Sequence, residues 1–305
     1  MTLVICVTTY NRNPGLIQCL KSINKLYLVP NIEIKIIVVD NSRKHISLKP
    51  VQKLKKSLNY KVIQLHEKRR GIVYARNKCL RELKKINPKF TCFFDDDCVV
   101  DPFWLKNVFK IIKFTNAEIV TGPQLPSKKK YLNSSKFINY SQFFEKKYKE
   151  NLKRVGWAAS NNVFLKYDII MRHKLFFDKA LNKFGIGEDQ LFFLKLHSYG
   201  HTIYWSKTVK VFENIHIHRL NLKWLIQRSF RLGVLGHYID INIHGKLMGF
   251  IINYLKSVYY FVRTFSYIFL FFNRKFQIQI LNFFFRFYGR LIGPFFLKKI
   301  DFFNK

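Results

Sequence analysis

Acidic side chains are scarce in this sequence: across 305 residues, 18 Asp and Glu stand against 54 Lys and Arg, a formal net charge of +36. Such an excess favours an anionic partner, whether lipid headgroups, nucleic acid or a phosphorylated substrate, and does not choose among them. Cysteine is sparse too. The five, Cys6, Cys19, Cys79, Cys92 and Cys98, are odd in number and form no C-x-x-C pair, which speaks against a zinc ribbon or disulfide framework and for a reducing compartment. No uncharged run approaches the roughly 18 residues needed to cross a bilayer. Leu3–Val7 is too short for the apolar part of a secretory leader, so the mature chain is expected to start here and to stay in the cytoplasm. Also missing are G-x-x-x-x-G-K-S/T, H-E-x-x-H, G-x-S-x-G and a complete G-x-G-x-x-G, which removes support for kinase and Rossmann oxidoreductase readings.

What is present is a chain with 49% hydrophobic residues, enough for a sizeable core. From Leu3 to about residue 122, short β-branched runs alternate with amphipathic stretches, the pattern of a mainly parallel α/β sheet with crossover helices. The expected strands are Leu3–Thr8, Ile34–Val39, Lys61–Leu65, Phe90–Phe94 and Glu118–Thr121. Helices are expected after Pro14, over Gly71–Ile86 and after Pro102. Residues 123–155, rich in Lys, Tyr and Pro, are expected to form a long excursion over the sheet edge, a candidate lid. Order should resume at Gly156–Leu165, with short strands near Thr202–Tyr204 and Val209–Phe212. Ligands of open α/β sheets bind beyond the carboxyl ends of the strands, which singles out Thr8–Arg12, Asp40–Ser42 and Asp95–Asp97.

The densest of these signals is Asp95-Asp96-Asp97, three carboxylates ending an apolar strand in a strongly cationic chain. Like charges this close raise one another's pKa unless a cation neutralises them. A hard divalent ion with oxygen ligands, shared with substrate phosphates, would do so. A polar turn capping the next helix is the alternative, and one Asp would suffice for that.

In order along the chain, Thr8-Thr9-Tyr10-Asn11-Arg12, Val38-Val39-Asp40-Asn41-Ser42, Gly71-Ile72-Val73-Tyr74-Ala75-Arg76-Asn77, Asp95–Asp97 and Gly187-Glu188-Asp189 resemble the motifs of a family 2 glycosyltransferase of GT-A fold. The resemblance covers roughly residues 3 to 235. It implies nucleotide-sugar binding by Thr8, Thr9, Tyr10, Arg12, Asp40, Arg76, Asn77, Asp95 and Asp96, with Thr9, Tyr10 and Asp40 near the base and Asp95 at the ribose. Asp97 is implied on a divalent metal, Mn2+ or Mg2+, and Asp189, beside Glu188, as the general base of an inverting transfer. Some GT-A enzymes take a further metal or diphosphate ligand from the region of His218, which alternates with His216 on one face. Each position has a plainer use: Asp40 in a strand-end turn, Arg76 as a solvated helix arginine, Glu188 and Asp189 as caps of the next helix.

Beyond Lys246 the composition shifts to Phe, Tyr, Ile, Leu, Lys and Arg. If residues 250–275 form one helix, Lys256, Tyr260, Arg263, Tyr267 and Arg274 fall on a narrow stripe amid apolar side chains, the design of a helix lying in a membrane interface. The expected organisation is a catalytic domain over 1–235 and a basic, aromatic, membrane-associating helical extension over 236–305. The partners this implies are a nucleotide-sugar donor, a glycan or lipid-linked glycan acceptor such as lipopolysaccharide, and an anionic membrane at the inner face of the cell, with no specific nucleic acid. A nucleotidyltransferase would use similar strand-end carboxylates, and a basic nucleic-acid-binding protein would show the same charge.

Overall fold

A computed structural model describes residues 1–127, 151–216 and 219–296. They form two compact units, residues 1–127 with 151–182 and 188–214, and residues 183–187 with 215–216 and 219–296.

The first unit is built on strands β1 (Thr2–Thr9), β2 (Glu33–Asp40), β3 (Lys61–His66), β4 (Phe90–Asp95), β5 (Cys98–Val100), β6 (Ile119–Thr121), β7 (Gln124–Pro126), β8 (Lys153–Val155), β9 (Val163–Lys166), β10 (Ile203–Trp205) and β11 (Val211–Glu213). Eight of them form one sheet in the order β3-β2-β1-β4-β9-β6-β10-β8, and β5-β11-β7 form a small second sheet. β3, β2, β1 and β4 run parallel, whereas β9 lies antiparallel between β4 and β6. The sheet is therefore mainly parallel but mixed, as expected for a GT-A fold.

Alternation along β1 sorts the core. Leu3, Ile5 and Val7 join one buried cluster with Leu16 and Leu20 of α1 (Asn13–Ile23), Val51 of α2 (Leu48–Lys55) and Trp104 of α4 (Trp104–Thr115). Val4 and Cys6 point the other way, toward Val73 and Cys79 of α3 (Ile72–Ile86), Ile169 of α5 (Tyr167–Arg172) and Phe192 of α6 (Glu188–Ser198). Helices thus cover both faces, as a parallel sheet of β-branched residues requires. All five cysteines are buried and unpaired.

The second unit holds three 23-residue helices, α7 (Leu222–His244), α8 (Lys246–Ile268) and α9 (Arg274–Phe296). A boundary after residue 235 would fall inside α7. α7 and α9 meet backbone to backbone: a Cβ on Gly233 would lie 2.5 Å from the Arg286 carbonyl oxygen and 2.9 Å from Gly289 Cα. Only glycine permits that approach. The single helix expected over 250–275 breaks after Ile268, so Arg274 opens the next one. Its basic stripe lies along the edge of the bundle: Lys256, its side chain 46% exposed, reaches Asp240 of α7 (2.6 Å), and Arg263, half-buried, lies over Phe283 of α9. The candidate lid has β7 and β8 at its two ends and otherwise falls, like His218, outside the described residues.

Candidate active site

Strand register builds the site. Thr8 of β1 pairs with Asp95 of β4, Thr9 with Asp40 of β2, and Asp40 with His66 of β3. The polar residues that end four apolar strands therefore lie in one row along the carboxyl edge of the sheet.

Within the acidic triplet the three carboxylates have different surroundings. Asp96 is buried and accepts hydrogen bonds from Thr9 Oγ1 (2.7 Å), the Tyr10 N–H (3.3 Å) and Arg12 (3.1 Å). Burial raises its pKa against the pull of Arg12 and Thr9. Asp97, also buried, takes the same Arg12 guanidinium at 2.9 Å. Asp95 is the accessible member, its side chain 31% exposed, with Oδ1 2.9 Å from Arg76 and no partner at Oδ2 among the described residues. Two arginines of the chain thus supply much of the neutralising charge that the sequence argument assigned to a metal. Arg12 grips the acids themselves, not an external phosphate.

Arg76 is likewise engaged internally. From the second turn of α3, almost fully buried, its guanidinium forks to Asp95 and to Glu188 at the start of α6. Burial alone would ease its proton off, but Asp95 and Glu188 outweigh it and raise the pKa. Glu188 is buried, and its pKa is pushed up to about 7 because desolvation outweighs the pull of Arg76. Its Oε2 is a buried acceptor without a hydrogen-bond partner among the described residues. Asp189 is half-buried, accepting from the Gln190 N–H (2.7 Å) and, weakly, the Ser160 N–H (3.4 Å). Both acids open α6, the place the helix-end reading gave them.

Two positions expected at the nucleotide have partners within the scaffold. Asn77 presents Nδ2 to the Phe177 carbonyl and Oδ1 to the Phe177 N–H, both at 2.8 Å and fully buried. Asp40 accepts the Ser42 N–H (2.7 Å) and the Ser47 N–H (2.8 Å), so the strand-end turn is real. Burial works to raise its pKa, yet those hydrogen bonds hold it below its ordinary value.

The end of β3 adds residues that none of the motifs contains. There Glu67 receives Arg69 twice at 2.8 Å and Arg81 at 3.3 Å. Asn41 Nδ2 binds the Glu67 and Arg69 carbonyls (2.8 and 2.6 Å). Its Oδ1 receives the Gly71 N–H at 2.7 Å. Gly71, at φ +134, holds a conformation closed to other residues, with Asn182 where a Cβ would be. This loop places Arg70 over the ring of Tyr10, 5.7 Å from its centroid, with Tyr10 40% exposed at the rim. The charged run Glu67-Lys68-Arg69-Arg70 after a strand was the signal available for it.

The sequence profile of glycosyl transferase family 2 matches residues 4–174. The chain belongs to this glycosyltransferase family. Over 248 residues, 80% of this chain and 74% of the relative, it is 29% identical to the succinoglycan biosynthesis protein ExoM of Rhizobium meliloti (strain 1021). It is 26% identical over 199 residues to the poly(ribitol-phosphate) beta-N-acetylglucosaminyltransferase TarS of Staphylococcus aureus (strain MW2), spanning 65% of this chain and only 32% of TarS. Among solved structures, the mannosyltransferase PcManGT of Pyrobaculum calidifontis, in complex with GDP-Man and Mn2+, superimposes with a TM-score of 0.63 at 13% identity, covering 96% of this chain and 87% of that one. TarS residues 1–349 superimpose with a TM-score of 0.59 at 16% identity, covering 96% and 90%. These likenesses show a GT-A-like fold, and the chain is a glycosyltransferase, which replaces the nucleotidyltransferase alternative.

Proposed function

We propose that this glycosyltransferase moves a sugar, with inversion, from a nucleotide-diphosphate donor to a hydroxyl of a glycan on a lipid-linked or cell-surface polysaccharide acceptor, at the inner face of a membrane. The observation that carries the reading is the chain Asp95–Arg76–Glu188, which ties the accessible acid of the donor-side triplet to the helix bearing Asp189. Relatives support the substrate class. TarS has been solved with UDP and with UDP-GlcNAc, and PcManGT with GDP-Man. ExoM is named for a polysaccharide pathway.

Tyr10, exposed at the rim with Arg70 over its ring, offers a stacking face to the base. Thr9 and Arg12 hold Asp96 and Asp97 in place, so the carboxyl row needs no reorganisation when the donor arrives. Asp189, more accessible than Glu188, takes the proton of the acceptor hydroxyl as its oxygen attacks the anomeric carbon. Glu188 acts through Arg76 as a positioning residue.

Among the described residues no three His, Cys, Asp or Glu side chains are arranged to hold a metal by themselves. The hard oxygen donors present, with Asp95 Oδ2 unpartnered, still fit a Mg2+ or Mn2+ site of the kind that draws its remaining ligands from phosphate and water. Asp95 and Asp97 would hold such an ion. Bound there, it would offset charge developing on the departing diphosphate.

The test is release of nucleoside diphosphate from a panel of nucleotide-sugars with Mn2+ or Mg2+, for wild type, Asp97→Ala and Asp189→Asn. Each variant should lose on the order of a thousandfold in turnover while still folding. Equal turnover by all three on a confirmed donor would defeat the assignment.

A further inference from the structure

The helical unit is built inside out. On α8 the buried positions are Gly249, Asn253, Ser257 and Thr264, all small or polar. The exposed ones include Leu247, Tyr254, Leu255, Val258, Val262 and Phe265. At about 100° per residue these sets occupy opposite sides of one helix. The interior they enclose is ionic: Asp240, buried, accepts from buried Arg290 at 2.7 Å, Arg290 also donates to Asn253 at 2.9 Å, and Lys256, half-exposed, reaches Asp240 from the rim at 2.6 Å. Ser229 of α7 donates to Asn282 of α9 at 2.9 Å. Exposed apolar residues continue through the turn after α8, where Phe272 is 97% exposed, and onto α9 at Phe284, Tyr288, Leu291 and Phe295.

A helix folding in water puts its apolar stripe inward, because exposed apolar area costs about 25 cal/mol per Å2 and a buried polar group costs more. The reverse arrangement is favoured where the surrounding medium is itself apolar. A single protein partner would cover one face. Here two helices and the turn joining them are apolar outward, which suits a continuous medium. Charge selects its surface: residues 215–305 contain 14 Lys and Arg against Asp240 and Asp301, a balance that draws the unit to anionic headgroups. Among the described residues no helix is long and apolar enough to cross a membrane.

We propose that α8, the 269–273 turn and the outer face of α9 embed in the acyl region of one leaflet of an anionic membrane, parallel to its plane, with the Asp240–Arg290 pair kept inside the bundle and Lys256 at its rim. This differs from the surface-lying helix read from the sequence, whose basic stripe would have faced the headgroups. It rests on the helical unit alone and stands or falls separately from the catalytic reading.

The experiment uses the full chain carrying Val262→Cys labelled with an environment-sensitive fluorophore, the native cysteines being buried. It is mixed with phosphatidylcholine vesicles containing about one third phosphatidylglycerol. Expected are co-flotation that survives 1 M salt, a blue shift of the label, and quenching by lipids brominated on the acyl chain. Leu255→Gln/Val258→Gln/Val262→Gln/Phe265→Gln alters only exposed side chains, should keep its circular dichroism, and should partition on the order of a hundredfold more weakly. Three results would overturn the proposal: no flotation, flotation abolished by salt with the label unshifted, or a label already shielded without lipid in a protein that sediments as a dimer.

Discussion

The two units solve opposite problems. In the sheet unit, apolar strands build the interior and charge gathers at their ends, where Arg12 and Arg76 divide three carboxylates between them. In the helical unit charge is gathered inside and apolar surface turned out. Each holds buried ion pairs, but the first set opens onto a site with an accessible Asp95, whereas the second closes on itself. A buried charge placed among partners is costly to unpair, so substitutions should separate a functional cluster from one that keeps helices in register.

The largest effect should come from Arg76→Met. It leaves Asp95 and Glu188 without their shared cation, and a loss of about 3–5 kcal/mol in chemical denaturation is expected together with loss of donor turnover. Next is Asp240→Asn, which keeps a hydrogen-bond acceptor but leaves Arg290 buried without its counter-charge. About 2–3 kcal/mol is expected, and the comparison sharpens if donor turnover is unchanged. The smallest effect lies in a slope. Glu188 titrates near 7 when folded and near its ordinary value when unfolded, so folding takes up a proton between those limits. Its contribution to stability is full below the ordinary glutamate range and fades as pH rises through about 7. Thermal melting of Glu188→Gln across that window should lose this slope, and an unchanged slope would place the proton elsewhere.

The strand ends were legible because each is an apolar run stopped by polar residues, and parallel register does the rest: Thr8, Asp40 and Asp95 had to align once β1, β2 and β4 paired. What escaped was partnership across long sequence separation. Nothing near Asn77 reveals Phe177, and nothing near Arg76 reveals Glu188. Their residue types suggested ligand binding and gave no sign of these internal contacts. Strands β5, β7, β8 and β9 are three or four residues long, too short for alternation to show against their surroundings. On α8 the helical wheel found the stripe of Lys256 and Arg263 correctly. It could not tell which side of the helix had neighbours, and that alone decides between headgroup contact and ion pairing with a neighbouring helix.

Asn77 and Phe177 join at a separation of 100 residues and Arg76 reaches Glu188 across 112. Closing loops of that length comes late, after local helices and neighbouring strands have formed. A chain whose strands have paired but whose distant segments have not docked would therefore carry every strand-end acid in place and still lack the partner that fixes Arg76.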